Sequence, residues 1–543
     1  MSRLRRCQSL FVGVGVVLVT AFFTPAGLRA EAVSSEPGAY KTYWGDLHNH
    51  NNVGYAQGSL ERTFEIAREH LDFFAFTPHG HWHDIGHYVN HIEDKWHDGF
   101  AVTRKRWPDV LAMVRKYDAP GTFVPIAGYE WHSSSLGDYC VLFPTLEAEL
   151  KMFDELPQLQ RFARENGCLM VPHHPANRVG HRGANFAARD PSVSPVLEIF
   201  SEWGNAEHDR GPYPYIRHSH GGRWTRNTLH YLLAQGHRMG VIASTDDHLG
   251  YPGAYRQGLA AIKALALTRS AIFDALRQRR TYAVTGDRIA LDFTLNGRMM
   301  GQELAYVRQR QLKVTVAGWD QVDRVEVLKN NRVIHRDFPM DRRTTQRSWD
   351  RPVLVRLEFG WGPWPSLGMA RVADWDFRVT IEGGTLESVQ PCFQSGPLEE
   401  GRRDRILDRS ERGLRVRSFT ARRQLMADNA TKAVVLKLRG GPRTRLTVSF
   451  DAPSRHSVTR SLAELAESSE VVFMGPFPSE SALIHRLVFD EHARSEFTFT
   501  DTDDGERTIW YYVRVVQANG QLAWSSPIWV EARAAAGPPK AGL

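Results

Sequence analysis

Clusters of metal-capable side chains sit at or just beyond the ends of short apolar runs in the first half of this chain. They are His48-Asn49-His50, His79, Glu130 with His132, His173-His174, Glu198 with Glu202, and Asp246-Asp247-His248. The runs alternate with helical patterns. Glu61 to Glu69 reads as a helix before the strand Leu71 to Thr77, and Thr122 to Tyr129 is an apolar strand that ends on Glu130. The helical stretch Lys151 to Glu165 leads into Cys168 to Val171, followed by Val196 to Phe200. A further helix, Asn227 to Gln235, precedes the strand Met239 to Ser244, and the helix Arg269 to Arg279 precedes Thr281 to Val284. Near-continuous apolar strands separated by helices call for a parallel sheet covered on both faces. Only strands set in a ring bring so many different strand ends to one place, because an open sheet gathers fewer of them at a switch point. Residues 40–288 are therefore expected to form an α/β barrel with its polar groups at one mouth.

The pattern changes near residue 290. Leu291 to Leu295, Gln311 to Val316, Val322 to Leu328, Val353 to Phe359, Trp375 to Glu382, Ala433 to Leu438 and Arg445 to Phe450 are short strand candidates separated by turns. Lys329-Asn330-Asn331-Arg332 reads as a hairpin turn. Thr508 to Gln517 and Leu522 to Val530 are joined by Ala518-Asn519-Gly520, whose Asn-Gly supports the positive dihedrals of a tight hairpin. Residues 289–535 are expected to form a mainly β, sandwich-like accessory domain with a charged excursion near 395–412. A disordered tail is expected over 536–543. A chain of 543 residues exceeds one ordinary core, which agrees with two domains.

Residues 1–32 stand outside this fold. Arg3, Arg5 and Arg6 precede the apolar run Leu10 to Phe23, and the small-residue site Ala30-Glu31-Ala32 follows, in the layout of a secretory signal. No later stretch is long and apolar enough to span a bilayer. The expectation is a periplasmic or secreted protein with no stable membrane span after signal cleavage. Past the signal, Cys140, Cys168 and Cys392 do not make a disulfide framework, and buried inert thiols are expected. The formal charge of +7 owes three positives to residues 1–32, where Arg3, Arg5, Arg6 and Arg29 oppose Glu31. The remaining arginines are interspersed with acids rather than gathered into a basic stripe with aromatic platforms, which argues against a nucleic-acid partner.

The clusters suit metal chemistry. His48 and His50, two apart after an extended segment, project to the same side and can meet one ion. Asp246-x-His248 repeats that spacing, and a carboxylate with an imidazole suits zinc, manganese or iron. Glu130 can bridge two ions through its two oxygens, and His79 and His173 supply further imidazoles. Metal candidates are thus His48, His50, His79, Glu130, His173, Asp246 and His248. His174 competes with His173, and Asp247 with Asp246. These two, with His132 beside Glu130, are the candidates for proton transfer or substrate contact in catalysis. Glu198 and Glu202 each fit a place on the ion or just behind it. His81, His83, His87, His91 and His97 form an imidazole-rich run read as a solvated loop, with His81 and His83 near enough to His79 to line a pocket. Arg178, His181, Arg182 and Arg288 are candidate binders of an anionic substrate.

The ordered motifs Trp44-Gly45-Asp46-Leu47-His48-Asn49-His50, Thr77-Pro78-His79-Gly80, Gly128-Tyr129-Glu130, Pro172-His173-His174-Pro175 and Thr245-Asp246-Asp247-His248 resemble the PHP (polymerase and histidinol phosphatase) superfamily. The branch called DUF3604 is the most similar, through Tyr282 to Arg288 and the ending Trp510 to Arg514 and Trp524 to Trp529. The resemblance covers roughly residues 40 to 530. It implies a distorted (β/α)7 barrel, two or three divalent ions and phosphoesterase-type chemistry. In it His48, His50 and Asp246 would share one ion and Glu130 would bridge to a neighbour. The chain departs from the common opening at Asn51 to Ala56 and carries Pro78 where the superfamily has an Asp.

Metal ions that activate water and steady a leaving oxygen make a hydrolase the leading expectation, on an anionic small-molecule or oligomeric substrate. The rivals are hydrolysis of a non-phosphate ester, amide or glycan linkage, which an aromatic pocket from Trp82, Trp131 and Trp203 would favour, and a non-catalytic metal-containing binding protein.

Overall fold

The computed structural model describes residues 40–215, 221–360, 367–394, 401–421 and 430–533. The expected signal at 1–32, Trp361 and Trp364, Arg422-Arg423, residues 395–400 of the charged excursion and the tail from 536 lie outside the described residues.

The site-bearing half is built on strands Lys41–Asp46 (β1), Phe73–Phe76 (β2), His79–Trp82 (β3), Val124–His132 (β4), Asp138–Leu142 (β5), Leu169–His173 (β6), Val196–Ser201 (β7), Gly204–Asn205 (β8), Gly240–Ala243 (β9), Leu259–Ala264 (β10) and Thr281–Val284 (β11). Its longer helices are Leu60–His70 (α1), Asp94–Tyr117 (α2), Leu156–Asn166 (α3) and Arg269–Arg277 (α4). Apolar sequence dictates this layering. All of β2, β4 and β6 is buried, so both faces need cover, and the apolar stripes of the helices supply it. The α1 helix starts where Ser59 accepts the Arg62 amide and turns Leu60, Phe64 and Ala67 inward.

β1, β2 and β4 are parallel neighbours, whereas β5 runs antiparallel to both β4 and β6. β10 lies antiparallel on the other side of β1, with β11 beyond it. β7 and β9 pair in parallel in a separate three-stranded sheet with β8. The two sheets meet at the bridge Asn49↔Asp247 and the bond from Asp246 N–H to His48 O, 2.9 Å. The α/β character and the positions of β2, β4, β6, β7, β9 and β11 follow the sequence. The hydrogen bonding is mixed in direction and divided between two sheets, where the sequence suggested one parallel set. The five-residue β5, too short for a period to register, reverses direction between β4 and β6, as β10 does beside β1.

Beyond residue 290 the described residues are mainly β. Ala290–Leu295, Arg298–Met299, Gln309–Ala317 and Arg494–Thr502 make a four-stranded sheet. The long strands Val372–Cys392 and Lys432–Ala452 anchor a nine-stranded one. The hairpin turn at Asn330-Asn331 has the expected positive φ, 48° and 67°. The C-terminal strands do not stay apart from the first half. Leu522–Ser525 pairs with β11 at Tyr282↔Ser525 and Val284↔Ala523, so the largest sheet runs from the site-bearing strands into the end of the chain. No helix among the described residues is long and apolar enough to cross a membrane.

Candidate metal centre

The expected ligands arrive from the ends of different strands. His48 and His50 follow β1, His79 opens β3, Glu130 and His132 close β4, His173 closes β6, Glu198 lies within β7, and Asp246 and His248 follow β9. The backbone of the His48-x-His50 segment is pinned on both sides. Its Asn49 N–H donates to Thr77 Oγ1, 3.1 Å, and Asp46 accepts the Thr245 hydroxyl, 2.6 Å, and the Thr245 amide, 3.0 Å. Burial pushes the Asp46 carboxyl up to about 7 against these hydrogen bonds. Gly80 lets β3 lie against β4, since a Cβ there would stand 2.7 Å from the Tyr129 ring.

At the centre, imidazole nitrogens converge rather than pair off. His48 Nε2 and His50 Nε2 are 3.0 Å apart, and Asp246 Oδ1 lies 2.8 Å from the latter and 3.4 Å from the former. Glu130 Oε2 lies 3.6, 3.5 and 3.4 Å from the Nε2 atoms of His48, His50 and His79. Asp246 Oδ2 faces His173 Nε2 at 3.1 Å and His174 Nε2 at 3.6 Å. Atoms that could hold an ion gather in overlapping groups, among them His48-His50-Asp246, His48-Glu130-His173, His79-Glu130-His132, His50-His79-His248 and His173-His174-Asp246.

The far side of each imidazole sets its tautomer. Glu198 accepts from His173 Nδ1 at 2.6 Å and His48 Nδ1 at 3.2 Å, and the Asp246 carbonyl accepts from His248 Nδ1 at 2.8 Å. With those protons on Nδ1, each Nε2 lone pair faces the cavity, as metal-ligating histidines require. Glu198 therefore stands behind two candidate ligands rather than among them. Glu202 is 3.6 Å from His248 Nδ1. Burial opposes charge on these rings, and neighbouring groups outweigh it at all three; Asp246 and Glu202 hold His248 at about 9. His173 is held at about 9, with Glu198 and Asp246 raising it against burial and His48. Cys140, Asp246 and Glu198 raise His48 against its own burial. Burial, reinforced by neighbouring imidazoles, drives His50 down to about 3 and His79 well below its ordinary value. Glu130 and Asp246 remain carboxylates despite burial, because the surrounding imidazoles lower both.

The donor set fits divalent cations. Glu130 Oε1 is buried at the centre without a hydrogen-bond partner among the described residues. Several carboxylate oxygens and imidazole nitrogens also crowd one small volume. His174 and Asp246 take left-handed backbone, φ 46° and 54°, a conformation seldom adopted outside glycine and typical of functional strain.

The other sequence candidates divide. His132 belongs to the centre, with Nδ1 3.0 Å from Arg182 Nη2 and 3.4 Å from Glu130 Oε1. Arg182 reaches in from the turn after His174, held by Asp138 Oδ2 at 2.5 Å and stacked over Trp82 at 4.7 Å. Arg178 and His181 lie exposed on that turn. Asp247 directs Oδ1 to the amides of Leu249 and Tyr251, each 2.8 Å, and so shapes the loop. Arg288 does not join the centre. It is buried, its guanidinium donates to the His70 carbonyl, and its amide donates to Gln390, 2.9 Å, which makes it a strut at the end of α1. His81 pairs with Asp154 at 2.8 Å, and His87 and His91 face Glu93 at 3.5 and 3.8 Å, in keeping with a largely solvated run. Trp131 is core, donating to Phe153 O at 2.6 Å, whereas Trp203 meets the His174 ring at 5.1 Å. The three thiols are free and buried.

Two contributors escaped the sequence reading. Asp138 opens β5, and because β5 runs backward its first residue reaches the mouth beside His173. The Tyr55 ring stacks on His79 at 3.7 Å. No spacing rule marks either residue.

Comparison with known proteins gives a family match and remote relatives. The model of a protein family of unknown function, DUF3604, matches residues 253–310, a span that includes the Tyr282–Arg288 stretch and bears out the resemblance drawn from it. An uncharacterized protein of Chlamydia trachomatis is 25% identical over 344 residues, which is 58% of this chain and 51% of the relative. One of Chlamydia muridarum is 24% identical over 323 residues, 54% of this chain and 49% of the relative. The chain thus spans about half the length of the curated relatives it matches. Among solved structures, a two-domain protein from Bacteroides vulgatus containing a "predicted PHP-like metal-dependent phosphoesterase" aligns with 80% of this chain and 99% of its own at 12% identity, with a TM-score of 0.29.

Proposed function

We propose that this DUF3604-type chain is an exported, divalent-metal-dependent hydrolase of the PHP type that cleaves phosphoesters. The site-bearing half is read as a distorted (β/α)7 barrel whose two sheets together enclose the mouth, and the mainly β remainder as an accessory domain. The observation that carries the proposal is the common aim of His48, His50 and His173. Their Nε2 atoms face Asp246 and Glu130 at 2.8–3.9 Å, while Glu198 takes the Nδ1 protons of His48 and His173 from behind.

His48, His50, His79, Glu130, His173, Asp246 and His248 would hold two or three ions, with His174 beside Asp246. Zinc, manganese and iron all suit imidazole with carboxylate. Bound there, divalent cations supply Lewis-acid activation of water and offset charge on the phosphoryl oxygens. The protein's own groups do the rest. Arg182, held by Asp138, donates to His132 Nδ1 and so leaves the neutral ring's proton on Nε2, where it can pass to a leaving oxygen. Cations held by the cluster would favour an anionic substrate over a neutral glycan. The layout of residues 1–32 supports export.

Elemental analysis of the purified full chain, paired with a panel of phosphomonoesters, phosphodiesters and carboxylic esters, tests the proposal. Stoichiometric metal and chelator-sensitive phosphoester turnover, both lost in His48→Ala, are expected. Turnover that survives in a metal-free His48→Ala protein would overturn the assignment.

A further inference from the structure

Among the described residues, exposed apolar side chains gather on the loop between β3 and α2. Val89 is 88% exposed, Ile92 53% and Tyr88 43%. Side chains of this kind exposed together on one short loop mark a binding surface more often than an accident of folding. The loop is pre-shaped, for Glu93 folds back to accept the Tyr88 amide at 3.2 Å, and Asn90 and His91 take left-handed φ of 72° and 54°.

From this loop a chain of aromatic rings leads inward to the ligand cluster. Tyr88 meets Trp96 at 5.8 Å, and Trp96 meets Trp82 at 5.8 Å and Tyr55 at 6.5 Å. Trp82 then meets His132 at 5.7 Å, and Tyr55 stacks on His79 at 3.7 Å. Each step is within the range of ring–ring contact. The inner end of the path meets the imidazoles of the ligand cluster, and the outer end is apolar and open.

We propose that Tyr88, Val89, Ile92 and Trp96 receive the apolar body of an amphipathic phosphoester whose charged head sits at the ligand cluster. This rests on the phosphoester reading above and adds the class of alcohol that the site selects. A sugar or other polyhydroxy alcohol would meet few polar partners on Val89 and Ile92, whereas an apolar body gains by covering them.

The test is calorimetric titration of the metal-loaded full chain with decylphosphonate, whose chain of about ten methylenes is long enough to follow that path, and with methylphosphonate, which carries the same head; neither has an ester to hydrolyse. The decyl compound should bind at least roughly tenfold more tightly, given the apolar area it would cover. In Val89→Ser/Ile92→Ser, with exposed positions and a fold checked by circular dichroism, that ratio should fall toward one. In Phe477→Ser, which removes an 85% exposed ring elsewhere, it should persist. Equal binding of the two phosphonates by the unaltered protein, or an unchanged ratio in the double variant, overturns the apolar platform and leaves the phosphoester reading standing. Binding of neither phosphonate overturns both.

Discussion

His173 donates its Nδ1 proton to Glu198 Oε1 at 2.6 Å, and the other oxygen of the same carboxylate reaches His48 Nδ1 at 3.2 Å. One buried acid on β7 thus orients imidazoles that come from the ends of β1 and β6. Glutamine at 198 keeps the shape but has one acceptor oxygen in place of two, so one imidazole loses its orienting partner. Glu198→Gln should retain the fold and bind metal roughly 10–100-fold more weakly, the usual cost of losing such a supporting group. Competition with a metal-sensitive chelating dye measures this, and an unaltered affinity would show that Glu198 orients nothing.

The adjacent acids Asp246 and Asp247 should part company on substitution. Asp246 faces His50 at 2.8 Å and His173 at 3.1 Å, whereas Asp247 accepts two backbone amides of the following loop. Asp246→Ala is expected to abolish metal retention. Asp247→Ala should cost about 1–3 kcal/mol of stability through stranded amides while its folded fraction keeps the full metal content. Denaturant melts and elemental analysis on both variants separate the roles, and the reverse pattern would exchange them.

The candidate ligand set was readable because strand periodicity is local. His48-x-His50 and Asp246-x-His248 declare themselves by spacing, and Glu130 by ending an apolar run. What stayed hidden depends on contacts between distant segments. Asp138 matters only because β5 turns back, Tyr55 only because its ring lies on His79, and Glu198 could be placed behind its histidines only once β7 was set beside β1 and β6. Arg288 looked available because charge predicts exposure, but the meeting of α1 with the β strands near Gln390 buries it. The α2 helix escaped notice since charged residues on most of its faces blur the apolar period. The pairing of Tyr282 with Ser525 joins residues too far apart for any pattern to link.

Arg288 yields a prediction of its own. Its guanidinium donates to the carbonyl of His70, the last residue of α1, and its amide donates to Gln390. Arg288→Ala should lower thermal stability, by about 1–3 kcal/mol for the stranded carbonyl and lost packing, and leave KM for an anionic substrate unchanged. A raised KM in a protein of undiminished stability would return this arginine to the substrate site.

Acid should loosen the seam between the site-bearing half and the C-terminal strands in two stages. Glu207 accepts from Tyr512 Oη at 2.7 Å, Trp524 Nε1 at 2.8 Å and Arg514 Nη1 at 2.9 Å. Burial by itself would raise its pKa, but Arg514, His230 and His208 outweigh burial and hold it below the ordinary 4.5. A carboxylate depressed in this way contributes stability above its unfolded pKa and loses it as pH falls through the folded one. His230 acts in an earlier window. Burial lowers its imidazole from 6.5 to about 4, so the unfolded chain takes up a proton that the folded seam resists, and stability falls as pH drops from 6.5 toward 4. Thermal melts should therefore decline below pH 6.5 and decline further below pH 4.5. Glu207→Gln should be less stable than the parent at pH 7, with a deficit that shrinks as acid protonates the parent's Glu207. A deficit that stays constant or widens down to pH 3 would mean that this carboxylate is not coupled to folding, because only a group titrating differently in the two states can make the difference depend on pH.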